Sequence, residues 1–215
     1  MRRLVLAASV VTLMWSSAPA FADKTKSPPA AMTMSPKEQD LHAAMRKLWE
    51  DHVTYTRNFI ISALAGLDDL PKVTERLLKN QDDIGAAVKP FYGDKAAAKL
   101  TALLRDHIMI AADIVKAAKA GDKKGIDAGQ KRWHANGADL ATFLSGANPN
   151  WPKAELASML DKHLEFTTTE VVSRLKKDWA ADIDAYDKGH EHMLMFADML
   201  SDGIAKQFPK QFAGS

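Results

Sequence analysis

The stretch from Leu100 to Gly121, LTALLRDHIMIAADIVKAAKAG, decides the fold. Its apolar residues recur three and four positions apart rather than on alternate positions, alanine and leucine dominate it, and it stops at a glycine. That is the pattern of an amphipathic helix closed by its C-terminal glycine. The same reading holds outward in both directions: from Lys37 onward the spacing stays helical and β-branched runs are rare, so the chain is all-α. Gly66 to Pro71, Pro90 to Gly93, Gly121-Asp122, Gly146 to Pro152 and a turn near Lys177-Asp178 break it into six helices. These are expected at about 37–66, 72–89, 94–120, 123–145, 152–177 and 179–207.

Laid over one another, the helices show an internal repeat. Asp51-His52 is followed by Gly66 fourteen residues after the histidine, and Asp106-His107 by Gly121 at the same distance. The third copy is Asp161-Lys162-His163, so the histidines recur at intervals of 55 and 56 residues. In the return helices Asn80-x-x-Asp83 reappears as Asn136-x-x-Asp139, and the same displacement lands on His192-x-x-Met195. The expected fold is therefore a helical bundle of about six helices built from three repeated hairpins, a single domain over 37–215.

The first residues address the protein. Arg2-Arg3, the apolar stretch Leu4 to Trp15, and Ala20-Phe21-Ala22 read as a signal peptide over 1–22, shorter than the ~20 apolar residues a bilayer span needs. Residues 23–36, with Pro28-Pro29, read as a flexible lead. The expected location is periplasmic or secreted, with no membrane span after cleavage. Lys and Arg number 29 against 27 Asp and Glu, and the two arginines leave with the signal, so no basic footprint for nucleic acid remains. The chain has no cysteine, so neither disulfides nor thiolate metal sites are open to it, and any metal must be held by His, Met or carboxylate.

On a helix the neighbours of residue i are i±3 and i±4. His52 lies among Leu48, Trp49, Tyr55 and Thr56; His107 among Leu103, Leu104, Ile110 and Ala111; His163 among Met159, Leu160, Phe166 and Thr167. All three face the interior, whereas His42 and His134 lack this pattern and belong to the surface. The helical rise puts His52 ~21 Å before its turn and Asp83 ~18 Å beyond it, level across the hairpin, and His107 and Asp139 are level by the same measure. A carboxylate behind an imidazole orients it for ligation, and bundle interiors commonly host such sites.

The candidate metal ligands are thus His52, His107 and His163, joined from the last helix by His190 or His192 with Met195. Asp83, Asp139, Asp198 and Arg57 are candidates for support or for holding a ligand. His with thioether in an oxidising compartment suits copper, with zinc or iron as alternatives for His with carboxylate. The competing reading is a scaffold or partner-binding module in which buried His–Asp pairs only fix helix register. Arg57 has a structural salt bridge as its expected role, and Trp151 within Asn148-Pro149-Asn150-Trp151-Pro152 pins a loop or offers a platform for a sugar. No catalytic residue is assigned: there is no phosphate loop, no H-E-x-x-H, no G-x-S-x-G and no Glu-x-x-His pair. Long helix faces favour a homodimer.

The strings Leu48-Trp49-Glu50-Asp51-His52-Val53, Asn80-Gln81-Asp82-Asp83-Ile84-Gly85, Lys89-Pro90-Phe91-Tyr92-Gly93, Ala147-Asn148-Pro149-Asn150-Trp151 and Lys206-Gln207-Phe208-Pro209 together resemble a group of uncharacterised bacterial helical proteins, often exported. The resemblance spans nearly the whole mature chain. It implies a helical, exported protein and brings no active site with it.

Overall fold

The computed structural model describes residues 34–213. The expected signal peptide, and the lead up to residue 33, lie outside the described residues. Those described form an all-α bundle without a strand: α1 (Pro36–Ala65), α2 (Leu70–Ala120), α3 (Lys123–Ala147), α4 (Lys153–Leu175), α5 (Trp179–Gln207) and the short α6 (Pro209–Phe212).

Local chemistry sets the helix ends. Ser35 caps α1 with its hydroxyl on the Glu38 amide, while the Glu38 carboxylate takes the Ser35 N–H at 2.6 Å, and Pro36 fills the first turn where no donor is needed. Gly66 and Gly121 close their helices at φ 71° and 69°, a conformation that costs glycine nothing. At the third turn Lys177 adopts φ 61° without being glycine, which is why that turn is the least legible in the sequence. Asp178 then caps α5 through the Ala181 amide.

The expected second and third helices are the two arms of α2, divided within the expected Pro90 to Gly93 break by the non-helical backbone of Gly93 (φ 78°, ψ 174°). Its two arms fold back on each other: Arg105 on the second arm donates to the Leu78 carbonyl and to Asp82 on the first. The arms approach so closely at Gly85 that a Cβ there would collide with Thr101. The bundle closes into a ring, α1 against α2 and α5, α3 against α2 and α4, and α4 against α5.

The interior is layered. One large apolar block includes Trp49, Ile84, Leu104, Leu160, Phe196 and Leu200, and a second, nearer the turns at Gly66 and Gly121, includes Phe59, Ile60, Leu77, Ile108 and Val171. Between them in sequence on their helices fall His52, His107 and His163. Trp151 is 2% exposed, so it is a core residue and not a platform; its indole lies against α5 where Gly203 has no side chain to obstruct it. Asn148 braces the same loop, accepting from the Asn150 amide at 2.8 Å and donating to the Tyr92 hydroxyl at 2.9 Å.

Candidate functional site

Three imidazoles occupy the middle of the bundle. His52 on α1, His107 on the second arm of α2 and His163 on α4 are 2, 3 and 5% exposed. Their apolar i±3 and i±4 neighbours turn each helix so that the histidine faces inward. His163 sits between the other two, with its ring centroid 5.6 Å from that of His52 and 5.8 Å from that of His107. Trp49 packs edge-on to His52 at 5.5 Å, and Trp133 lies against His107 at 5.1 Å. The row is therefore walled by indole at both ends.

A side-chain amide fixes the proton of His107. Asn136 commits its Nδ2 to the Leu103 carbonyl (3.0 Å), which leaves its Oδ1 to accept from His107 Nδ1 at 2.8 Å. His107 then keeps a lone pair on Nε2. Gln81 Nε2 donates to the Leu77 carbonyl and to Asn80 Oδ1, and faces His52 Nδ1 at 3.3 Å. The amide nitrogen carries two hydrogens for these three contacts, so Gln81 does not set the His52 tautomer. The His163 imidazole makes no hydrogen bond among the described residues.

Electrostatics keep the row neutral. Burial, with a contribution from His107, pushes His52 down to about 3. Burial pushes His107 down to about 4 against the help of Asn136, and drives His163 well below the ordinary histidine value, with the neighbouring histidines adding to the fall. A positive charge is costly in a dry interior, and three groups this close cannot share it. Neutral imidazole is the ligating form.

Each return helix contacts the outgoing helix at the same relative place. Asn80 Nδ2 donates to the Leu48 carbonyl (2.9 Å), Asn136 Nδ2 to that of Leu103 (3.0 Å) and His192 Nε2 to that of Met159 (2.8 Å). Each of these carbonyls belongs to the residue four before a buried histidine. His192 thus spends one nitrogen as a clamp on α4, not as a ligand, with its ring edge-on to Phe166.

The expected carboxylate partners are not there. Asp83 is half-buried and bonded to Lys79, and Asp139 is exposed. They are level with the histidines but stand on another face: three residues along a helix from Asn80 or Asn136 is a rotation of about 60° away from the clamp. Neutral amides take the buried place because an uncompensated carboxylate would have to lose its water there. Met195 is 56% exposed, and Asp198 is bound by Arg46 and His42 at the surface, so neither supports the row. His190 is half-buried with Nε2 3.4 Å from Glu50. His134 is exposed as expected, but His42 is largely covered, held between Asp198 and Asp202.

Arg57 does form the structural salt bridge. It donates to Glu170 (2.7 Å) and forks onto both oxygens of Asp182 (3.1 and 3.2 Å), while Arg174 reaches Asp182 at 2.7 Å. Two cations and two buried carboxylates form one network beneath the Tyr186 ring, which the Arg57 guanidinium approaches to 4.7 Å. Burial pushes the Glu170 carboxyl up to about 7 in spite of Arg57. Glu170, Tyr186 and His190 line, with His163, a small cleft of about 10 Å³, little more than one water needs.

Among the described residues no three His, Asp or Glu side chains are grouped to hold a metal ion as they stand, and no helix is long and apolar enough to cross a membrane. Comparison with family models, with curated proteins and with solved structures finds no match.

Proposed function

We propose that this chain binds a transition-metal ion, copper in its monovalent state, through His52, His107 and His163. The observation that carries the reading is the row of three adjacent, buried, neutral imidazoles. Two of them bracket a third whose nitrogens are uncommitted. His107 offers Nε2 with its lone pair, and no hydrogen bond ties the His163 ring nitrogens.

The charge of the site favours copper(I) over zinc or iron(II). No carboxylate touches the row, so a bound ion brings its whole charge into a dry interior. The desolvation cost of an ion grows with the square of its charge, which makes a divalent ion about four times as costly as a monovalent one. Imidazole is a suitable copper ligand, and the row needs no thioether from Met195.

The test is a titration of the purified protein with copper(I) under reducing conditions against a chromophoric chelator, with zinc in parallel. The reading expects one copper(I) per chain, zinc at least 100-fold weaker, and no binding by H52L/H107L/H163L. Equal copper uptake by the wild type and the triple variant overturns it.

A second reading is supported by the three carbonyl clamps: the imidazoles and amides serve as a polar layer that fixes helix register. In that case the triple variant loses a unique fold and wild type binds no copper.

A further inference from the structure

The network around Arg57 lies outside the histidine row, yet it holds a buried carboxylate on the face of α4 that carries the central imidazole. Glu170 follows His163 by seven residues, two helical turns and ~10 Å further along α4. It is 5% exposed and lines the same small cleft as His163. Its one hydrogen bond among the described residues goes to Arg57, so no imidazole is bonded to it. The network is unevenly shared. Arg57 Nη1 serves both Glu170 Oε1 at 2.7 Å and Asp182 Oδ1 at 3.1 Å, so two carboxylates crowd one donor. Asp182 also receives Arg57 Nη2 and Arg174 Nη1, at 3.2 and 2.7 Å, whereas Glu170 keeps the single contact. Of two crowded carboxylates, the less supported one is the one that holds a proton. Burial acts in the same sense and pushes Glu170 up to about 7.

We infer that Glu170 is the proton switch of the copper site: as the ion enters the histidine row, Glu170 releases its proton to solvent, and the ionised carboxylate offsets the positive charge brought into the interior. The inference rests on the copper reading and adds pH control to it. The row cannot supply this control itself near neutrality, because burial already keeps its imidazoles uncharged there. Distance sets the size of the coupling. Two unit charges ~10 Å apart, at an effective dielectric constant of about 20, change each other's equilibrium roughly 10-fold. The effect is reciprocal, so copper(I) weakens the hold of Glu170 on its proton by the same factor by which the proton weakens copper(I). The charged and titratable groups around Glu170 are Arg57 from α1, Arg174 and His163 on α4, and Asp182, Tyr186 and His190 from α5. Changing Glu170 alone isolates its share from theirs.

The experiment is a copper(I) titration of the full protein against a chelator whose own affinity is flat with pH, run at about pH 6 and pH 8. Wild type is expected to bind at least 5-fold more tightly at the higher pH. Glu170→Gln, of the same shape and without charge, should bind at both values within 2-fold of wild type at the lower one, with unchanged far-ultraviolet circular dichroism. A second measurement needs no variant. Calorimetry of copper(I) binding to wild type near pH 7, in two buffers of different ionisation heat, should count roughly half a proton released per ion. The inference is overturned if wild-type affinity differs by less than 2-fold between the two pH values, if no proton is released, or if folded Glu170→Gln keeps the wild-type pH dependence. One copper(I) per chain without pH dependence removes the switch and leaves the histidine site standing, whereas no copper(I) at either pH removes both.

Discussion

Acidification should strain this protein at its centre, and the size of the effect follows from the buried imidazoles. In the unfolded chain a histidine titrates near 6.5, whereas His52 and His107 titrate at about 3 and 4 when folded. Both folded values are depressed, so the stability linked to these groups is complete above pH 6.5. It is lost progressively as pH falls toward the folded values, because only the unfolded chain takes up the protons. The slope is about 1.4 kcal/mol per pH unit for each group. At pH 4.5 each histidine has removed about 2.6 kcal/mol, so the two together remove about 5 kcal/mol, comparable with the whole stability of many domains.

Glu170 works in the opposite sense: its folded value, raised to about 7, stabilises the fold as pH falls from 7 toward the ordinary carboxyl range. The clean quantity is therefore a difference between proteins. Urea unfolding followed by circular dichroism at half-unit steps from pH 7 to 4.5 should show wild type steeper than His107→Leu by about 1.4 kcal/mol per unit. Parallel profiles for the two would refute a neutral, solvent-free His107.

Other consequences follow from the same contacts. Asp182→Ala leaves Arg57 and Arg174 without their shared carboxylate and should cost about 3 kcal/mol in urea unfolding at pH 7. Asn136→Ala removes both the acceptor of His107 and the donor to the Leu103 carbonyl, for an expected loss of about 2 kcal/mol by the same assay. Gly203→Ala drives a methyl group into the Trp151 indole and should lower stability by about 1–3 kcal/mol, seen as a reduced thermal midpoint. Met195→Ala, at an exposed position, should leave copper(I) affinity within 2-fold of wild type.

Much of the fold is legible because helical periodicity is a local signal. The same signal places His52, His107 and His163 indoors, since three or four apolar neighbours on one face leave a histidine little choice of side. The partners are less legible. Rise along a helix gives the level of Asp83 and Asp139 but not their angle about the axis, and the angle decides that Asn80 and Asn136 point inward while the aspartates meet solvent or lysine. Gln81 adjoins Asn80 in sequence and gives no periodic sign of its contact with His52. The Arg57 network is hidden for another reason: Glu170 and Asp182 are 113 and 125 residues away, and it takes the closure of α1 against α5, with α4 packed on α5, to bring them together. His192 is the instructive case, because its clamp on the Met159 carbonyl needs a donor of reach similar to asparagine, and an imidazole N–H serves as well.

The central claim is that copper(I) is bound by the interior row and by no other histidine. Nitrogen-15 spectra of the imidazoles, recorded as copper(I) is added to one equivalent, test it most directly. The account predicts that the ring nitrogens of His52, His107 and His163 shift in slow exchange, while those of His42 and His134 stay in place. Shifts confined to His42, His134 or His190, with the three interior rings unmoved, would contradict it.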